Sequence, residues 1–217
     1  LFDIDLRLRP NGNAGLLVTS IEGFLDYQHR LAWIWEHQAL TRARFCAGDR
    51  DIGQRFEAER ERLLRLARPT EGLLEEVLAM RQKMHDGHPN PSTQFDIKHD
   101  RGGMVDIEFI VQTLVLRYSH AHPNLAGNLG NIALLRIAGE LGLIDAALAA
   151  QVGDAYRSYR KRQHAERLSG AASARVDAHE FQAQQAAVSA LWNAVFSEAP
   201  ATIRSLQVLH QSASGAA

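Results

Sequence analysis

Cysteine is almost absent: Cys46 is the one example in 217 residues. That excludes an internal disulfide and fits a reducing cytoplasm. No apolar run reaches the roughly eighteen residues a helix needs to cross a bilayer, so no membrane partner is expected. Charge of one sign is missing too, with 24 Lys and Arg against 25 Asp and Glu. The balance removes any general electrostatic case for a nucleic-acid or anionic membrane partner, and no recognition helix is evident. Neither a G-x-G-x-x-G fingerprint nor a Walker loop is present. Ten histidines invite a metal reading. However, His120-x-His122 and His85-x-x-His88 lack the spacing of a zinc motif, and one cysteine cannot complete a structural site. No repeat and no low-complexity segment breaks the chain.

What is present is helix. Hydrophobic residues make up 46% of the chain, enough for a sizeable core. Thr19 and Ser20 can cap a helix to about Arg30. The next runs from Trp33 through Arg44, towards Gly48. Asp51–Arg68 places Ile52, Phe56, Leu63 and Leu66 on one side, and Pro69 stops it. Thr70 restarts a helix with the stripe Leu73, Leu74, Val77, Leu78 and Met84. Residues 85–102 are irregular, apart from the short alternation Phe95-Asp-Ile-Lys98. The strongest periodicity is Ile107, Ile110, Val111, Leu114, Val115 and Tyr118. Later helices run from Ile132 to Leu141, with Gly142 as a C-cap, and from an Asp145 cap through Tyr159. The last starts at a capping box of Asp177 and Glu180. The fold class is mainly α: an antiparallel helical bundle with a short N-terminal β-strand.

That strand, Leu1-Phe-Asp-Ile-Asp-Leu-Arg-Leu-Arg-Pro-Asn-Gly12, alternates apolar and charged residues up to a turn. Asp3, Asp5, Arg7 and Arg9 share one face. Carboxylates that hold Mg²⁺ beside cations that offset phosphate charge are what nucleotidyl transfer requires. A solvated face of an edge strand is the bland alternative. The chain starts on Leu, inside the strand, and reads as the edge of a catalytic domain lying upstream. A second cluster holds Trp33, Trp35, Glu36, His37, Arg42 and Arg44. It is either a core tryptophan pair with ordinary helix charges, or a junction placing Glu36 and the arginines beside a nucleotide. A third holds Phe95-Asp-Ile-Lys98 and Arg101-Gly-Gly-Met-Val-Asp106-Ile-Glu108. Its Gly102-Gly103 amides could meet an anion, or Asp106 and Glu108 could complement the helix dipole. Arg157, Arg160, Lys161, Arg162 and Arg167 form a basic stripe, read as a solvated face, or as a surface for an acidic partner or a phosphate.

Taken in order, these stretches resemble the bifunctional glutamine synthetase adenylyltransferase/adenylyl-removing enzymes. The likeness rests on Asp3-Ile-Asp-Leu-Arg-Leu-Arg-Pro-Asn-Gly12, Gly15–Ser20, Tyr27-Gln28, Ala32-Trp-Ile-Trp-Glu-His-Gln-Ala-Leu40 with Arg42-Ala-Arg44, Met80–Met84, Phe95–Lys98 and Gly102–Phe109. It runs to about residue 168. The Trp-Glu-His-Gln-Ala-Leu form resembles the C-terminal, adenylylating half. The chain departs from the family pattern at Leu125–Asn131 and at Tyr159–His164, and residues 170–217 match weakly.

The resemblance implies a division into the end of a nucleotidyltransferase domain (1–18) and a helical domain (19–205), and the small-residue ending Ser-Ala-Ser-Gly-Ala-Ala reads as a flexible tail (206–217). It implies transfer of AMP from ATP, with Mg²⁺, to a tyrosine of glutamine synthetase in the cytoplasm. Asp5 matches the family's third catalytic carboxylate, as catalytic residue and metal ligand, with Asp3 in a lesser metal-binding role. Arg7 and Arg9 would steady the strand end or phosphates, and Arg42, Arg44 and Lys98 would contact phosphates. The family's first two carboxylates would lie upstream, so the chain alone is expected to be inactive. Two rival readings stay open. One is a non-catalytic helical module that docks PII signalling protein or glutamine synthetase. The other is a related uridylyltransferase for PII.

Overall fold

The computed structural model describes residue 6 and residues 9–199. The expected N-terminal strand (apart from Leu6 and Arg9) and the expected tail lie outside the described residues. The mainly α expectation holds, with eight α-helices and one two-stranded antiparallel sheet among the described residues. No described helix is long and apolar enough to cross a membrane. The chain divides into two compact units that do not follow chain order: residues 1–68 with 115–128, and residues 69–114 with 129–217.

The first unit contains α1 (Ile21–Arg30), α2 (Ile34–Leu40) and α3 (Arg50–Leu64), with α1 and α2 both packed on α3. Ser20 caps α1 by accepting the Gly23 N–H at 3.0 Å. Asp49 caps α3 through the N–H groups of Asp51 and Ile52. Helix α2 stops at Leu40, short of the expected Arg44, because its last carbonyls are held from outside. Arg60 on α3 is 3% exposed. Its Nε donates to the Leu40 carbonyl at 2.8 Å, and two further nitrogens donate to Thr41 and Ala126 at 3.0 Å. Helix α3 likewise ends before Arg68, whose guanidinium folds back onto the carbonyls of Leu63, Leu64 and Leu66. The apolar side expected of α3 needs correcting. Ile52 and Leu66 are exposed, while Gly53, Glu59, Arg60, Leu63 and Leu64 are buried. Nor are the tryptophans a core pair: Trp33 is 66% exposed and Trp35 38%.

The second unit contains α4 (Thr70–Asp86), the first eleven residues of α5 (Met104–Tyr118), α6 (Asn131–Glu140), α7 (Ala146–Leu168) and α8 (Gln182–Val195). Helix α7 packs against both α6 and α8. The stripes expected of α4 and α5 are buried, except Met84 and Tyr118, which are half-exposed. Asp145 caps α7 through the Leu148 N–H at 2.7 Å. Asp177 caps a single 3-10 turn, Ala178–Phe181, and α8 follows it, later than the sequence pattern suggests. The alternation at Phe95–Lys98 becomes β1 (Phe95–Asp96), paired antiparallel with β2 (Arg175–Val176). Phe95 and Phe181 flank Tyr159, with ring centroids 5.8 and 5.2 Å away. This aromatic packing seats the sheet beside α7.

Removing the Arg60 fork takes a donor from three backbone carbonyls, of which that of Leu40 keeps the Ala43 N–H at 3.2 Å. We expect Arg60→Met to lower the unfolding free energy in urea by about 3 kcal/mol. An unchanged midpoint would contradict this account of where α2 ends.

Candidate functional site

Asp3, Asp5 and Arg7 lie outside the described residues. Arg9, which closes the Leu-Arg-Leu-Arg run, is half-buried, and its guanidinium donates to the Leu6 carbonyl. It lines a pocket of about 310 Å³ in the first unit with Phe24, Gln28, Trp35, Glu36 and Phe56. Phe24 and Phe56 meet at 5.7 Å between ring centroids.

The polar groups of this pocket are fixed from behind. Glu36 is buried, and its carboxylate accepts the Tyr27 hydroxyl at 2.9 and 3.1 Å and the Trp33 N–H at 2.8 Å. Glu36 therefore caps α2 and joins it to α1. The desolvated Tyr27 hydroxyl, donating to that carboxylate, has a raised pKa. Gln28 is 6% exposed, and its Oε1 has no hydrogen-bond partner among the described residues. A buried amide oxygen without a donor is costly and suits a ligand that supplies one. The pocket thus brings together a guanidinium, aromatic side chains and the side chain of Gln28.

Arg42 and Arg44 are exposed and do not line this pocket. Arg44 borders a separate apolar groove with Phe45 and Ile52. Of the expected phosphate contacts described in the first unit, Arg9 lines the pocket with Glu36, and Arg42 and Arg44 do not join them.

His37, one turn along α2 from Trp33, is buried. Its Nε2 faces the Gln28 carbonyl at 3.1 Å, and Arg68 donates to its Nδ1 at 3.2 Å. A nitrogen that accepts from arginine carries no proton, so the ring is neutral with the hydrogen on Nε2. Burial is the main cause of its lowered pKa; the Gln28 carbonyl opposes it and Arg68 adds to it. Burial also pushes Arg68 down to about 10, which leaves it charged at neutral pH.

Lys98 sits in the second unit, in a turn wired throughout. Asp96 Oδ1 accepts the N–H groups of Lys98 and His99 at 2.9 and 3.0 Å. Asp100 accepts the Asp96 N–H and the Asn90 amide, both at 2.7 Å. The carbonyls of Ile97 and Lys98 accept the first N–H groups of α5, from Met104 and Val105. The anion reading of Gly102-Gly103 does not survive this geometry. The Gly102 N–H donates to Asp106 Oδ2 at 2.7 Å and the Gly103 N–H to the Asp100 carbonyl at 3.0 Å, so neither is open to a ligand. Glycine is required at both positions for conformation and space. Gly102 has φ +78°, and a Cβ on Gly103 would lie 2.7 Å from the Ile97 oxygen. Asp106 also takes Arg81 Nε at 2.6 Å, with both side chains essentially buried. It acts as a structural acceptor as well as lying in the first turn of its helix.

The fit to Mg²⁺ can be tested on the acids. Among the described residues, no group of three or more carboxylate, histidine or cysteine side chains could hold a metal ion. Glu36, Asp96, Asp100 and Asp106 are engaged by N–H, hydroxyl or guanidinium donors. Asp3 and Asp5, to which the resemblance gives the metal-binding role, lie outside the described residues. Sequence reasoning missed Gln28 as a pocket residue and Arg60 and Arg81 as buried anchors. Tyr27-Gln28 carried only the family likeness, and a buried arginine leaves no periodic signal.

Comparison with known proteins adds two family models. That for glutamate-ammonia ligase adenylyltransferase matches residues 1–59, and that for GlnD PII-uridylyltransferase matches residues 72–197. Curated relatives with the name bifunctional glutamine synthetase adenylyltransferase/adenylyl-removing enzyme match across most of the chain. The protein from Aromatoleum aromaticum is 59% identical over 92% of this chain, and that from Ralstonia nicotianae is 60% identical over 90%. The Nitrosomonas europaea protein is 59% identical over 78%. The chain spans 21%, 21% and 18% of the length of those three relatives, respectively.

The neutral His37 gives a signed pH dependence. Its pKa is lower folded than unfolded, so the unfolded chain takes up the proton first as pH falls. Stability is full above about pH 6.5 and declines as pH falls through that value towards the folded pKa. His85 and His99 shift the same way, chiefly through burial. We expect the thermal midpoint to fall between pH 7 and pH 5, and His37→Asn to flatten part of that fall. A pH profile identical in the variant would contradict the lowered pKa of His37.

Proposed function

The chain belongs to the family of bifunctional glutamine synthetase adenylyltransferase/adenylyl-removing enzymes, and on that premise we propose that it forms part of the adenylylating half. In the whole protein, a tyrosine oxygen of glutamine synthetase attacks the α-phosphorus of ATP. The bond to the β-phosphate oxygen breaks and pyrophosphate leaves. Asp5 is the catalytic residue we assign to the tyrosine proton. With Asp3 and further carboxylates of the whole protein, it would hold Mg²⁺, which when bound offsets charge on the phosphates. Arg7 and Arg9 steady the strand end and the phosphates, and Arg42 and Arg44 add positive charge on the helical side. Lys98 is the matching candidate on the second unit.

The observation that carries this reading is the Arg9 pocket. It follows the Asp-Leu-Arg-Leu-Arg run directly, and it combines a cation, the Trp35 face and the orphaned Gln28 oxygen. An adenine amino group would satisfy that oxygen. The names of the relatives support glutamine synthetase as the protein substrate. The reaction would take place in the cytoplasm, with PII signalling protein as a regulatory partner docking on the helical region. The match of residues 72–197 to a PII-uridylyltransferase model favours a second reading, in which UTP replaces ATP and PII is the target.

Asp5→Asn in the whole protein tests the assignment. We expect AMP transfer to glutamine synthetase to fall by about a hundredfold or more, with an unchanged circular dichroism spectrum. Full turnover in the variant would overturn the assignment. Preference for UTP over ATP by the unmodified protein would move it to the second reading.

A further inference from the structure

The second unit holds a cavity of about 280 Å³ that the transfer reaction does not account for. Four stretches of chain build it. The loop after α4 gives His88, and the turn after β1 gives Lys98 and His99. The end of α7 gives Gln163 and Arg167, and the strand β2 with its approach gives Ser173 and Arg175. The floor is organised by backbone: the Ile97 N–H donates to the Ala174 carbonyl at 3.0 Å, and Phe95 and Asp96 pair with Val176 and Arg175. His88 and His99 stack with ring centroids 4.2 Å apart and planes 11° off parallel, giving one wall a flat face.

The charges in this cavity do not balance. Lys98, Arg167 and Arg175 bring three permanent cations, and Asp96 is the one carboxylate among the lining residues. Asp96 is also heavily engaged. One of its oxygens takes two backbone N–H groups, and the other stands 3.7 Å from Arg175 Nε, too far for a hydrogen bond. Arg175 Nε is buried without a hydrogen-bond partner. Among the described residues no ion pair holds Lys98 or Arg167. Cations gathered around a concave surface raise the local concentration of anions, and two guanidinium forks with an ammonium match the oxygens of a phosphoryl group. An excess of two positive charges fits a dianion better than a single carboxylate. Phosphate monoesters carry between about one and a half and two negative charges at neutral pH.

We propose that this cavity is a binding site for a small phosphate-bearing ligand, inorganic phosphate being the minimal case. Lys98, Arg167 and Arg175 hold the phosphoryl oxygens, Gln163 and Ser173 lend neutral donors, and any organic part lies against the stacked imidazoles. The site uses the basic stripe of α7 only at its last member, Arg167; the stripe residues Arg157, Arg160, Lys161 and Arg162 do not line the cavity. It shares Lys98 with the AMP-transfer reading, but Arg167 and Arg175 have no part in that reaction, so saturable phosphate binding that needs Arg167 can hold even if the transfer reading fails.

Calorimetric titration of the full chain with inorganic phosphate at constant ionic strength tests the proposal. We expect saturable binding, with acetate at the same concentration giving none. Lys98→Gln and Arg167→Gln should each weaken phosphate several-fold, and the pair by about tenfold or more. Lys161→Gln, exposed on the same helix but outside the cavity, should change nothing. Lys98 and Arg167 are exposed, so the variants should unfold at the unmodified temperature when phosphate is absent. If the double variant does not fold, phosphate-dependent amide shifts in the unmodified chain decide. Shifts centred on residues 96–99 and 163–175 support the site. Shifts elsewhere, absence of saturable binding, or equal weakening by Lys161→Gln would overturn it.

Discussion

Arg81 has no exposed side-chain surface and yet carries a full charge. The second unit depends on how that charge is met. Its Nε donates to Asp106 and another nitrogen donates to the His99 carbonyl at 2.9 Å. The second oxygen of Asp106 takes the Gly102 N–H, and the Gly102 carbonyl accepts the hydroxyl of Tyr159 at 2.9 Å. One run of hydrogen bonds therefore ties α4, the start of α5 and α7 through the glycine pair. Moving an ion into a protein interior costs several kcal/mol unless its partners are already in place. Partial assembly is thus disfavoured. Burial has a second consequence at Tyr159, whose hydroxyl is held well above its ordinary pKa, with the Asp106 charge adding to the effect. It donates throughout the physiological range.

The first unit uses the same device with carbonyls in place of a carboxylate. Arg60 and Arg68 cover the backbone oxygens at the ends of α2 and α3, the positions where a helix lacks internal donors. Arg68 then fixes the neutral tautomer of His37, and His37 meets the carbonyl of Gln28. Gln28, which lines the Arg9 pocket, is thereby held at its backbone by this same sequence of contacts. Positioning runs from a half-buried cation, Arg68, through a histidine, to the candidate nucleotide pocket.

Much of the fold was legible in the sequence because helical periodicity survives wherever burial is apolar. The stripes of α4 and α5 and the caps Ser20 and Asp145 followed from spacing and residue type alone. The failures share one cause. Where arginine or glutamate is buried, as at Glu59, Arg60 and Arg81, the pattern reads as solvated, and the true inner face of α3 is hidden. The ends of α2 and α3 were overrun for the same reason, since arginines distant in sequence or folded back terminate them. The sheet was half visible: Phe95–Lys98 alternates, but its partner at Arg175–Val176 is too short to signal itself. Of the candidate site, Arg9 and Lys98 were found by motif, whereas Gln28 and Arg175 gain their roles only from packing.

The central claim is that Arg81 and Asp106 act as one unit, neither tolerable in the interior without the other. A double-mutant cycle on Arg81→Met and Asp106→Leu, read as unfolding free energy in urea, tests it directly. The account predicts that each single change is strongly destabilising and that the pair together costs less than their sum, with a coupling of about 2 kcal/mol. Simple additivity would contradict it.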